Sequence, residues 1–180
     1  MKRFNDPWEY FIVDDVFPFP VFKRLQDIVF QWEKPLPGER IRRNVKNQIH
    51  ADEVLSHLST HLYPLVWQLA HSAIWSFKVH NKNPNKIINI RTEYNCQSKG
   101  HTYEVHKDDS SKICSSVLHV SDTGLGTHMY ESVDQYHSTI PWLPNSASMF
   151  VNETYKYHSF SSDIDYRITL TTILETFSLN

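Results

Sequence analysis

Near residue 85 the apolar pattern of this chain changes period once, and that single change restricts the folds open to it. Before it, Val21, Phe22, Leu25, Ile28, Val29 and Trp32 recur at the spacing of an amphipathic helix. Pro20 suits the first turn of such a helix, where its missing N–H leaves no bond unmade, and "PLPG" (Pro35 to Gly38) stops the run. A second helix is expected from about Asp52, through Val54, Leu55, Leu58, Leu62, Leu65, Val66, Leu69 and Ile74. Pro64 lies inside that pattern and should kink or divide it. Ahead of both, "EYFIVDDVF" suggests a short strand. Beyond "NKNPNK" the period falls to about two, in "IINIRTEYN", "HTYEVH", "ICSSVLHV", "GTHMYE", "SASMFVN" and "DYRITLTTILETF". Turn chemistry separates these runs: "QSKG", "KDDSSK", "SDTGLG", "WLPN" and "SSDID". Helices followed by six or more short strands predict an α+β domain, mainly β in its core, with a sheet, sandwich or barrel backed by helices.

Composition narrows the function classes. At 180 residues, 40% of them hydrophobic, the chain suits one folded domain, and its four glycines leave little linker material. A formal net charge of -2 gives no electrostatic reason to expect nucleic acid as a partner. The one basic run, "GERIRRNVKNQ" (Gly38 to Gln48), reads as a solvated loop, and so does "VDQYHSTI" (Val133 to Ile140) around His137. Two cysteines, Cys96 and Cys114, make neither a disulfide framework nor a four-thiolate zinc site. "MKRFNDPWEYF" has no apolar stretch behind its Lys-Arg, and no run reaches the length of a membrane span. A cytoplasmic protein, monomer or homodimer, is the expectation.

Eleven histidines are many for this length, and one pairing stands out. In "TYEVHKDDSSK", His106 and Asp108 are two apart, so on a strand they face the same way and can present an imidazole and a carboxylate to one metal. By itself such a triple arises often by chance. Downstream, however, His158 stands in "YKYHSF", fifty-two residues past His106, and Arg167 and Thr169 share one strand face nine residues beyond it.

This set, a His-x-Asp, a distant His, then an Arg two residues before a Thr, resembles the Fe(II)/2-oxoglutarate-dependent oxygenases, closest to their prolyl-hydroxylase-like branch. The match runs from about Ile87 to Leu174, and "GTHMY" and "WLPNSASMFVN" look like the family's glycine-led strand and its Pro-Asn turn. The resemblance implies a double-stranded β-helix (jelly-roll), with helical support over about residues 1–85 and the β-helix core over about 86–178 of one 1–180 domain. It implies Fe(II) held by His106, Asp108 and His158, with 2-oxoglutarate as co-substrate and O2 as oxidant. Two imidazoles and a carboxylate on one face of iron leave positions open for these. Arg167 and Thr169 are then the partners of the distal carboxylate of 2-oxoglutarate, which needs a permanent, planar cation. His119 falls where many relatives carry a tyrosine reaching the same carboxylate, so His119 and Tyr103 are carried over as further 2-oxoglutarate-binding residues; Tyr103 and Tyr94 are also pocket walls, Tyr94 with His128 as substrate-facing candidates.

The implied reaction hydroxylates an unactivated C–H bond and releases succinate and CO2. A peptide or protein side chain such as proline is the acceptor the branch favours, with a free amino acid or other small metabolite as the alternative. Nucleobase-repair relatives carry a second arginine six residues after the first, where this chain has Ile173. A non-catalytic cupin-like metal module and a zinc hydrolase share the three ligands, but neither needs a buried arginine beyond them.

Overall fold

The computed structural model describes residues 1–71, 86–152 and 156–178. Its strands are β1 (Lys2–Phe4), β2 (Tyr10–Val13), β3 (Arg40–Asn44), β4 (Lys86–Ser98), β5 (Thr102–His106), β6 (Lys112–His119), β7 (Thr127–Ser132), β8 (Gln135–Ile140), β9 (Ala147–Val151), β10 (Tyr157–Ser161) and β11 (Tyr166–Ser178). Two helices, α1 (Phe19–Val29) and α2 (Ala51–His61), stand in the first half, and residues 63–71 are helical again. Both helical periods read from the sequence are present. The second breaks at Leu62, and Pro64 sits in the first turn of the resumed helix, where proline is tolerated. Ile74 and most of "NKNPNK", residues 81–85, lie outside the described residues.

All strand pairs are antiparallel and fall into two sheets, β1-β2-β9-β6-β11-β4-β3 and β5-β10-β7-β8. From β4 onward the chain crosses between the sheets repeatedly. The large sheet takes β4, β6, β9 and β11, and the small one takes β5, β7, β8 and β10. Two expectations are corrected here. "GERIRRNVKNQ" is not a plain solvated loop, because its residues 40–44 form β3, paired along β4 from Arg40↔Gln97 to Asn44↔Glu93. "VDQYHSTI", read as a loop, supplies β8, which forms a hairpin with β7. The helical half thus also contributes three strands to the large sheet.

Alternation along the strands sorts the large sheet into two faces. Tyr94, Cys96, Cys114, Leu118, Ile168, Leu170 and Leu174 are buried against Phe22, Leu25, Ile28, Val29, Val54, Leu58 and Leu62 of the helical layer, in the main core. A smaller cluster, Trp8, Tyr10, Ile12, Met129, Ile140 and Phe150, fills one end of the space between the sheets. Asn145, at φ 60, turns the chain into β9; its side chain accepts from Phe17 N at 3.0 Å and donates to Phe17 O at 2.8 Å. That clamp ties the lead into α1 to the large sheet. Asparagine is among the few residues that occupy this backbone region readily.

Candidate functional site

What remains between the sheets is a cavity whose walls are polar on a face that the fold buries. The large sheet lines it with Glu93, Asn95 and Gln97 of β4, Ser115 and Val117 of β6, and Arg167, Thr169, Thr171 and Ile173 of β11. Arg40 and Arg42 of β3 close one side, while Tyr103, His106, His158 and Phe160 come from the small sheet.

His106 and His158 are direct register partners on β5 and β10, with ring centroids 4.4 Å apart. Asp108 lies just past the end of β5. The ligating atoms of the three lie within 4.8 Å of one another, close enough for one metal ion. The Nδ1 atom of His106 is 2.9 Å from Glu104 O, and that of His158 is 3.2 Å from Lys156 O. Each carbonyl can only accept, so Nδ1 carries the proton and Nε2 keeps a lone pair for a metal. Burial lowers both histidines, His158 to about 4, so both are neutral near pH 7. Asp108 is held as an anion. Lys112 Nζ donates to Oδ1 at 2.5 Å and Ser115 Oγ to Oδ2 at 2.8 Å. Burial opposes that charge, but His158, Lys112 and the hydrogen bonds together bring its pKa below the usual carboxylate value. Asp109 belongs to the turn, accepting from Ser111 N at 2.8 Å.

Arg167 is the other pole of the cavity. Its guanidinium is fully buried, with Nε donating to Leu125 O at 2.8 Å and Nη1 to Gln97 Oε1 at 3.0 Å. It packs over the rings of Trp142, at 4.9 Å, and Phe160, at 5.2 Å. The Nη2 atom has no partner, and no carboxylate pairs with the group among the described residues. Burial, with Arg40 adding repulsion, lowers it to about 9. A buried guanidinium without an anion is costly, and a carboxylate entering the cavity would relieve that cost. Trp142 is itself fixed from below: a Cβ on Gly124 would come within 2.9 Å of its indole.

Of the residues read from the sequence, His106, Asp108, His158, Arg167, Thr169 and Tyr103 meet in this one cavity. His119 stops short of its wall. It stacks on Trp142 at 4.2 Å beside Arg167, with Nδ1 near Leu143 O and Ser146 Oγ and with Nε2 buried and unpartnered. Two assignments are corrected. Tyr94 faces the helices: its ring lies edge-on to Trp32 and its hydroxyl donates to Glu33 O at 2.9 Å, because it has the opposite strand parity to Glu93 and Asn95. His128 likewise alternates out of the cavity between Thr127 and Met129, reaching Thr139 Oγ1 at 2.8 Å and Ser161 Oγ at 3.3 Å. Arg40 was missed. Its guanidinium covers the rings of Tyr103 and Phe160, and only the structure brings β3 alongside them.

No protein-family model matches the sequence, and no curated protein matches it. Solved structures do share the fold. The chain is similar to dioxygenase for auxin oxidation 1 from Arabidopsis thaliana in its 2-oxoglutarate complex, at TM-score 0.68 and 12% identity over 98% of this chain and 87% of that one. It is similar to a prolyl hydroxylase from Trichoplax adhaerens in complex with a hypoxia inducible factor peptide fragment, at TM-score 0.63 and 11% identity, covering 92% and 83%. A 2OG-Fe(II) oxygenase family oxidoreductase from Burkholderia pseudomallei gives TM-score 0.63 and 10% identity, covering 92% and 84%. At these identities the likeness is one of fold.

Proposed function

We propose that this chain is an Fe(II)- and 2-oxoglutarate-dependent oxygenase that hydroxylates an unactivated C–H bond. The alternation of β4 to β11 between two antiparallel sheets fits a jelly-roll, and the 1–180 chain is read as one domain built around it. His106 Nε2, His158 Nε2 and one oxygen of Asp108 are assigned to the metal, and Arg167 and Thr169 to the distal carboxylate of 2-oxoglutarate. Bound there, Fe(II) and 2-oxoglutarate supply the oxidising chemistry that turns O2 and a C–H bond into a hydroxyl group, succinate and CO2.

The observation that carries this reading is Arg167. A zinc hydrolase or an inert metal-binding barrel has no use for a fully buried guanidinium, its Nη2 unpartnered among the described residues, in the wall of the cavity that holds the three candidate ligands. A C5 dicarboxylate has use for both ends. The protein's own part is to hold. The Glu104 and Lys156 carbonyls fix the imidazole tautomers, Ser115 and Lys112 orient Asp108, and Trp142 and Phe160 hold the planar guanidinium in place and shield it from water. Tyr103, stacked on Phe160 and edge-on to His106, walls the space between the two poles. His119 is assigned a positioning role through Trp142. The acceptor in this reading is a peptide side chain such as proline, or a free amino acid or small metabolite that undergoes the same chemistry.

Two measurements test it together: the melting temperature with Mn(II) and 2-oxoglutarate, and succinate formed with Fe(II). A metal-dependent rise on adding 2-oxoglutarate is expected. Its absence, with no succinate formed, sinks the proposal.

A further inference from the structure

The cavity's charges do not balance even after the assignments above are made. Four cations line it, Arg40, Arg42, Lys112 and Arg167, against two carboxylates, Glu93 and Asp108. Arg42 grips Glu93 with two hydrogen bonds of 2.5 and 2.6 Å, and Lys112 pairs with Asp108. Glu93 also meets Arg91, whose own charge is matched by Glu175 at 2.6 Å. Fe(II) and the 2-oxoglutarate dianion cancel one another. With both in place, Arg40 and Arg167 still leave the cavity net positive. Between two sheets, with Arg167 buried and Arg40 part-buried, that surplus favours an anionic third component.

Arg40 is the cation with no ligand assigned to it. Its Nη2 donates to Asn95 Oδ1 at 2.6 Å, and its guanidinium lies 4.7 Å over the Tyr103 ring and 5.2 Å over that of Phe160. Nε is buried without a partner. Two rings and one amide therefore hold the planar fork in place before any ligand arrives, which suits it to a carboxylate. Tyr103 in turn stands edge-on to His106 at 4.6 Å, so an anion on Arg40 is one ring away from a metal ligand.

We propose that Arg40 anchors a carboxylate on the molecule to be hydroxylated, so that the acceptor is a carboxylic acid whose reacting carbon lies a few bonds from that group. The inference rests on reading the cavity as a 2-oxoglutarate site. A free acid and an acidic peptide side chain offer the same chemistry, and the test separates them.

Protein loaded with Mn(II) and 2-oxoglutarate is titrated with paired probes, followed by melting temperature and, with Fe(II), by succinate yield. The free-acid pairs are L-proline, L-isoleucine and indole-3-acetate, each against its primary amide. The peptide pair is acetyl-Ala-Asp-Ala-amide against its Asn counterpart. At least one acid should bind about thirtyfold or more tightly than its amide, the scale of a desolvated charge pair. Which pair responds identifies the source. In Arg40→Gln that preference should collapse while the shift given by 2-oxoglutarate remains, and Arg40→Lys should keep part of it. Acids and amides that bind alike in every pair overturn the proposal. So does loss of the 2-oxoglutarate shift in a folded Arg40→Gln protein, which would assign Arg40 to the co-substrate. No 2-oxoglutarate shift in the unaltered protein overturns the preceding reading and this one with it.

Discussion

On the small sheet, His106 and His158 each give Nδ1 to a backbone carbonyl and keep only Nε2 for the cavity; on the large sheet, Arg167 leaves Nη2, and its neighbour His119 leaves Nε2, with no partner among the described residues. The small sheet's groups are held in place by bonds already made. Those of the large sheet lie buried with bonds still to make, each at a cost of about 1–3 kcal/mol. Such a cost is tolerated where a ligand or water completes the set. In the proposed reading the difference divides the labour: the small sheet presents two imidazoles to a metal, and the large sheet, which also fixes Asp108 through Ser115 and Lys112, holds a cation for an anion. Mutations on the two sides should therefore fail in different ways.

The largest effect is expected at the candidate metal ligands. His158→Ala or Asp108→Ala removes one of three ligands, so stabilisation by Mn(II) should vanish, together with turnover. The loss should exceed the about 10–100-fold that follows from removing a partner behind a ligand. Calorimetric titration with Mn(II) checks it, and near-native affinity in either variant would remove that residue from the metal site. On the large sheet, Arg167→Gln should leave metal affinity in place. It should raise the 2-oxoglutarate requirement about thirtyfold or more, the scale of losing one side of a buried charge pair. An unchanged requirement would break the contrast between the sheets.

A third test uses acid. Burial, reinforced by Arg167, lowers His119 from 6.5 to about 3. In the unfolded chain it takes a proton near 6.5, so between these values the unfolded state binds more protons and stability rises with pH. The contribution is complete above pH 6.5 and is lost as pH falls toward 3. Near pH 4.5 the loss should be about 3 kcal/mol, at 1.36 kcal/mol per pH unit. His119→Phe keeps a ring against Trp142 and removes the proton site. Urea unfolding at pH 7 and 4.5 should therefore show a smaller acid loss in the variant. His158 titrates in both proteins, so only the difference between them reports on His119.

How much of this arrangement could be read in the sequence depends on geometry. The candidate ligands and Arg167 were legible because each pair, His106 with Asp108 and Arg167 with Thr169, is two apart in the sequence. Strand alternation puts such pairs on one face in any sheet. Alternation does not say which face looks inward, and a one-residue change of parity reverses it. That is why Tyr94 and His128 were carried to the cavity and the structure turns both away. β3 and β8 escaped for another reason. Each has few apolar residues to mark a period, Ile41 alone in "RIRRN" and Ile140 at the end of "QYHSTI", so polarity concealed the strands. Arg40 was lost with β3. Its position beside Tyr103 depends on β3 pairing with the far edge of β4, a contact between residues 40 and 97 that no local pattern encodes.

Tyr94 supplies the smallest and cleanest test of that parity argument. Its hydroxyl donates to Glu33 O on the helical side and accepts from Lys34 Nζ at 3.4 Å. Its ring is fully buried against Trp32. Tyr94→Phe retains the ring and strands the Glu33 carbonyl, at an expected cost of about 1 kcal/mol, the net worth of one hydrogen bond. The 2-oxoglutarate and Mn(II) responses should not move, because the side chain lies across the sheet from the cavity. A change in either response with little loss of stability would mean that Tyr94 acts on the cavity side. The alternation of Glu93, Asn95 and Gln97 into the cavity would then have to be redrawn for the whole of β4.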